Sequence, residues 1–178
     1  MRKPLNTKKA LDTFGKNVVQ QSRSRLTKSG SNFSKNLYDS IKYDLEVFNQ
    51  GKSFTFTFSM ADYGKYQDQG VRGVGGVRKS TSVFNSRNNK GKLWKQKVKK
   101  GETPFSYKEG VKPSVKHFVE WSKKKGLSPF AVREAVYHQG IPAKKFFTTS
   151  FNQQFKKLPD EIVKAFNLDL DNFLDFTT

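Results

Sequence analysis

Leu11, Phe14, Val18, Gln21 or Ser22, and Leu26 fall at three- and four-residue steps, the period of an amphipathic helix. The spacing predicts a basic helix over residues 4–28. Pro4 suits its first turn, and Gly30, within Ser29-Gly30-Ser31-Asn32, suits its C-terminal cap. The pattern then changes to a period of two. Leu37, Ile41, Tyr43, Leu45 and Val47 share one parity, and Phe54, Phe56, Phe58 and Met60 share another. Such alternation places each set on one face of a sheet. Asn49-Gln50-Gly51-Lys52 separates the two runs, and Gly51 supplies the positive φ that a hairpin turn requires. The apolar face of the hairpin needs a cover, and the flanking helices are the candidates.

Helical spacing returns after the hairpin. Ala61-Asp62-Tyr63-Gly64-Lys65-Tyr66-Gln67-Asp68-Gln69-Gly70 reads as a short helix with Tyr63 and Tyr66 on one face and Gly70 as its cap. Pro113-Ser114 opens another helix. Val115, Phe118 and Val119 form its stripe, and Lys123-Lys124-Lys125-Gly126 closes it with cations at the negative end of the helix dipole. Ser128-Pro129 then reads as an N-cap and first turn, with Val132, Ala135 and Val136 facing inward and Gly140 ending the helix. Phe147, Phe151 and Phe155 are four apart on one face of the next. Leu158-Pro159-Asp160 breaks or restarts it, and Ile162, Phe166, Leu170, Phe173 and Leu174 continue at helical spacing. The fold class is therefore α+β: an antiparallel hairpin-based sheet packed by N-terminal and C-terminal helices. At 178 residues the chain suits one domain, 1–178.

Residues 71–103 break these patterns. They carry five glycines and few apolar residues. Arg72, Arg78, Lys79, Arg87, Lys90, Lys92, Lys95, Lys97, Lys99 and Lys100 face a single acid, Glu102, for a net +9. Ser82-Val83-Phe84 and Leu93-Trp94-Lys95 about Asn88-Asn89-Lys90-Gly91 suit a second, extended hairpin. A long basic loop or hairpin arm is expected over 71–112, reaching on the order of 50 Å if half of the 33 residues of 71–103 were fully extended.

Charge strengthens that expectation. The chain has 34 basic and 15 acidic residues, a net +19, which points to a polyanionic partner, nucleic acid first. The last 21 residues are −4 and the first 157 are +23. That asymmetry suits either attraction between the tail of one subunit and the body of another, or a helix closing its own core. The N-terminus lacks the apolar core of a signal peptide, no apolar run approaches bilayer length, and a soluble intracellular product without membrane contact is expected. A membrane-surface role for the first helix is favoured by Lys8, Lys9, Lys16, Arg23 and Arg25 but opposed by a narrow apolar face without tryptophan.

Candidate chemistry is sparse. With no cysteine, disulfides, thiolate metal sites and cysteine nucleophiles are excluded. His117 and His138 have no carboxylate pattern around them, and there is no HExxH, serine elbow or phosphate loop ending in Lys-Ser/Thr. Gly73-Val74-Gly75-Gly76 has the look of a phosphate loop without the helix and third-glycine spacing that one requires. Asp62 and Asp68 with Asp44 or Glu46 lack metal-ligand spacing. The expectation is no catalytic residue, no metal and no cofactor.

The order of these elements carries a resemblance. A basic helix, Ser29-Gly30-Ser31-Asn32-Phe33, Leu37-Tyr38-Asp39-Ser40-Ile41, an alternating hairpin and Ala61–Gly70 follow one another. Gly140-Ile141-Pro142-Ala143-Lys144-Lys145-Phe146-Phe147 comes later. Together these resemble the tail-completion or neck (head–tail connector) proteins of tailed bacteriophages over roughly 11–73 and 113–157. Lys144-Lys145 stands where that family carries Arg-Pro. The resemblance implies a structural virion subunit that forms a homo-oligomeric ring at the head–tail junction, made in the host cytoplasm. Its partners would be portal or adaptor proteins and tail proteins, with genomic DNA passing through the channel in non-specific contact. The basic arm would face DNA or a neighbouring protein. Tyr63, Tyr66, Asp68, Phe146 and Phe147, which fall in these motifs, are candidate subunit-interface residues, and the two tyrosines suit core positions over the hairpin as well. The alternative is a non-specific nucleic-acid-binding protein using residues 71–103. A third reading, a small nuclease, would show metal-dependent cleavage.

Overall fold

Leu11, Phe14, Val18, Ser22 and Leu26 are all buried along one face of helix α1, Leu5–Lys28. In the computed structural model, which describes residues 5–30, 35–48, 53–76 and 96–174, the chain divides into two compact units. One comprises residues 1–62 with 145–178, and the other residues 63–144. The architecture is mixed helix and strand, with two small antiparallel sheets among the described residues.

In the first unit, α1 ends on Gly30 at φ +67. A short helix α2 (Asn36–Ser40) precedes strands β1 (Lys42–Phe48) and β2 (Ser53–Ser59). Leu37, expected on the first strand, lies instead on α2. Leu37 and Ile41 are four apart, a spacing that satisfies both a two-residue and a 3.6-residue period, and both are buried. The hairpin pairs Tyr43 with Phe58, Leu45 with Phe56 and Val47 with Phe54. Parity holds along the strands but burial does not. Phe56 and Phe58 are half-buried under α1, whereas Val47 and Phe54 are exposed. Gly15 explains the closeness of α1 to the sheet. A Cβ there would stand 2.5 Å from the rings of both Phe56 and Tyr43, so a residue that weakens a helix interior by about 1 kcal/mol admits the hairpin.

Helices α6 (Phe146–Phe155) and α7 (Leu158–Leu174) complete this unit. Phe14 meets Phe56 edge-on at 5.4 Å and Phe151 at 5.9 Å, and Phe58 meets Phe147 at 5.4 Å. These are favoured aromatic geometries. Ser22 and Ser150 are fully buried, and the Ser150 hydroxyl donates to Phe146 O at 2.7 Å.

Asp169 of α7 performs a capping role that its position in the sequence does not advertise. Its carboxylate accepts from the backbone N–H groups of Asn6 and Thr7 at 3.0 and 2.8 Å and from the Thr7 hydroxyl at 2.8 Å. These belong to the first turn of α1, where unpaired donors and the helix dipole favour an anion. The acidic final helix is thus tied to its own α1. Burial works to raise the Asp169 carboxyl, but these hydrogen bonds outweigh it and hold it below the ordinary 3.8. A depressed carboxylate stabilises the fold above its ordinary range and loses that contribution as pH falls below it. Asp169→Ala is expected to cost about 1–2 kcal/mol at neutral pH. The difference from wild type in urea midpoints should shrink at pH 3, and a difference unchanged by pH contradicts the assignment.

The second unit begins with α3 (Gly64–Gln69), ending on Gly70 at φ +80. Strand β3 (Val71–Arg72) pairs with β4 (Gly140–Ile141). A 3₁₀ turn (Val115–Phe118) runs into α4 (Val119–Lys124), and α5 is Pro129–Gln139. The two helices expected over 113–140 are present with three differences. The first opens with a 3₁₀ turn, Val119 is exposed, and the Ser128 side chain makes no cap bond, its carbonyl accepting from Val132 N instead. Among the described residues, no helix is long and apolar enough to cross a membrane.

Candidate interface of the second unit

Glycines let the backbone cross itself where β3 meets β4. A Cβ on Gly73 would lie 2.2 Å from His138 O, and one on Gly140 would lie 2.2 Å from Val71 O. The N–H groups of Val74 and Gly75 donate to Tyr137 O and His138 O, carbonyls of the last turn of α5 that a helix leaves to partners outside itself. The glycine run of 73–76 thus has a packing reason, and two of its amides cap a helix rather than face an anion.

The expected arm over 71–112 has a different base from the one its composition suggests. Val71 and Val98 are buried. Arg72 N donates to Phe105 O, Tyr107 N donates to Arg72 O, and Lys97 N donates to Gln139 O. Residues 71–76 and 96–112 are therefore laid on the body by their few apolar side chains and backbone pairing, not extended from it. The Gln96 amide donates to Gly73 O at 2.5 Å, which holds the two ends of the remaining stretch together. Of the basic candidates, Arg72 is half-buried in β3, and Lys97, Lys99 and Lys100 are exposed beside that base. Arg78, Lys79, Arg87, Lys90, Lys92 and Lys95 lie outside the described residues.

The remaining candidates separate by unit. Tyr63 and Tyr66 are 41 % and 38 % exposed. The Tyr66 ring packs against Phe105 at 4.7 Å and under Lys65 Nζ at 5.2 Å. Asp68 is buried. Phe146 is fully buried and Phe147 packs against Phe58 and Phe151. These two phenylalanines form the core of the first unit, because the helix they begin covers the hairpin.

Charge is concentrated in the second unit. Residues 63–144 hold 19 basic and 5 acidic residues, +14 of the chain's +19. No family model, curated protein or solved structure matches the chain.

Two features escaped the sequence reading. Glu134 accepts from Lys112 Nζ at 2.9 Å and from Arg133 at 2.8 Å, with His138 Nε2 at 3.6 Å. Burial would raise the Glu134 carboxyl, but the Lys112 and Arg133 hydrogen bonds and charges hold it below its ordinary value. His138 Nδ1 lies 2.5 Å from Gly75 O. A carbonyl only accepts, so this nitrogen carries a proton. A carboxylate so occupied by cations ties α5 to the loop before the 3₁₀ turn and is poorly disposed to act as a base. Tyr137, buried, accepts from Gly110 N and donates to Lys108 O, fixing the same loop. Among the described residues, no group of three or more His, Asp or Glu is placed to hold a metal ion. The second feature is apolar exposure at the α4–α5 turn: Trp121 40 %, Leu127 50 % and Phe130 62 %. Their irregular spacing, spread over a helix end, a turn and a helix start, hides them from a periodicity test.

Proposed function

We propose that this chain is a structural, non-enzymatic subunit of a phage neck: a ring-forming head–tail connector or tail-completion protein joining portal-side proteins to the tail around the DNA channel. The observation that carries the reading is a meeting of motifs. The segments Ala61–Gly70 and Gly140–Lys144, which carry much of the resemblance, are some seventy residues apart in sequence. Lys144 N donates to Gln67 O at 2.9 Å, and a Cβ on Gly70 would stand 2.8 Å from Ala143 N. This adjacency gives the two segments one structural context, which supports reading them together. The concentration of positive charge in the same unit supports a place beside DNA, where phosphate contact without base reading suffices.

Ring assembly is tested by native mass spectrometry and electron microscopy of the full chain, alone and with the neighbouring neck and portal proteins. The reading expects closed rings. A chain that stays monomeric with all of those partners rules it out.

The alternative, a nucleic-acid-binding protein acting as a monomer, is favoured by the exposed Lys97, Lys99 and Lys100 beside the Gln96–Gly73 hydrogen bond. Both readings expect sequence-blind DNA contact whose log affinity falls linearly with log salt. Replacing Lys97, Lys99 and Lys100 by glutamine should reduce that slope by about 2 to 3. In the connector reading the same variant assembles normally. If the monomer binds DNA tightly and never assembles, the alternative stands.

A further inference from the structure

Two surfaces of the chain are apolar, exposed and opposite in charge. The first is the α4–α5 turn. Leu127 N donates to Ser122 O, which closes the turn and keeps Trp121, Leu127 and Phe130 within ten residues around it, interleaved with the exposed run Lys123–Lys125. The second is a flank of α7. Leu158, Ile162, Ala165 and Asp169 face inward on that helix. Val163 and Phe166 lie about 100° around it and are 59 % and 57 % exposed. Asp160 and Glu161, also exposed, stand in its first turn. One apolar face per helix suffices for packing in a single chain; α7 carries a further exposed apolar pair beside it.

We infer that the outer flank of α7 of one subunit seats on the α4–α5 turn of the next. The partner is a second copy because the chain supplies both halves in equal number, an acidic apolar helix and a basic apolar turn. Opposite charges steer such a pair and fix its orientation, and an amphipathic helix held by spaced apolar anchors is a recurrent binding mode. Because the two patches differ, the contact is heterologous. It closes a ring when the rotation between copies permits and otherwise builds a filament. A nucleic-acid ligand finds stacking faces in Trp121 and Phe130, but it leaves Leu127 and the α7 flank unexplained. The inference rests on the ring reading and supplies its contact.

Phe166→Glu and Phe130→Glu disable one half each at exposed positions, with circular dichroism and thermal midpoint confirming the fold. Asp160→Lys/Glu161→Lys provides a second lesion should Phe166→Glu misfold. By native mass spectrometry, wild type is expected to assemble. Each variant alone should associate at least about thirtyfold more weakly. An equal mixture of F166E and F130E should form dimers and nothing larger, because one intact contact remains. If wild type assembles and the variants assemble equally well, the docking is overturned while the ring reading survives. If wild type stays monomeric with its neck neighbours, both fall. If F130E assembles normally but loses DNA affinity, the turn is a nucleic-acid surface and the docking is overturned.

Discussion

Gly140→Ala is expected to unfold the second unit while leaving α1, the hairpin and α6 folded. Gly140 sits at φ +83, and a Cβ there would lie 2.2 Å from Val71 O and 2.6 Å from Gly73 N. Both neighbours are backbone atoms, one in the strand it pairs with and one just after it, so neither can swing aside. The left-handed conformation alone costs a residue with a Cβ about 1–2 kcal/mol. Relief of the clash requires breaking the β3–β4 pairing, and with it the helix-end bonds from Val74 and Gly75. The total is on the order of 4 kcal/mol or more, the range reserved for a named structural failure. Gly30→Ala is the matched control. Gly30 also has a positive φ, +67, but nothing lies within 4 Å of its Cβ position, so about 1 kcal/mol is expected. Hydrogen exchange resolved by segment distinguishes the two. Loss of protection over 129–141 in Gly140→Ala alone is the expected result, and equal, mild effects from both substitutions contradict the crossing described.

Phe146→Ala should be the most damaging of the phenylalanine truncations in α6, at about 4 kcal/mol. Phe146 is fully buried and closes a cluster with Val19, Leu26, Leu37 and Ile41, which joins α1, α2 and α6. Phe155 stacks on Phe151 at 5.5 Å but is 52 % exposed, so Phe155→Ala should cost less than about 1 kcal/mol. In urea, the Phe146→Ala midpoint should fall sharply and the Phe155→Ala midpoint only slightly. Comparable losses would place the core of this unit elsewhere.

These two positions show what the sequence made legible. Four-residue spacing put Phe147, Phe151 and Phe155 on one face and correctly gave a helix. It could not rank them, because spacing fixes direction and not how far the covering elements extend. The hairpin behaves likewise: Val47 and Phe54 share the buried parity yet are exposed, since cover from α1 runs out before the strands do. Leu37 was misassigned to a strand because four residues satisfy both periods. Composition drew the basic arm too wide. Val71 and Val98 are isolated apolar residues in a basic stretch, and only their burial, with the pairing of Val71 to Ile141 and of Lys97 N to Gln139 O, shows that they anchor its ends. Asp169 looked like tail acidity, but it caps a helix more than 160 residues away in sequence. The exposed turn at Trp121, Leu127 and Phe130 was missed for lack of any period.

The central claim is that this chain works as an assembled ring. It is tested most directly by the mass of the chain in native mass spectrometry, measured at physiological salt with the neck and portal proteins that the proposal assigns as partners. The account predicts a closed oligomer of fixed subunit number. A monomer under those conditions, whatever its affinity for DNA, contradicts it.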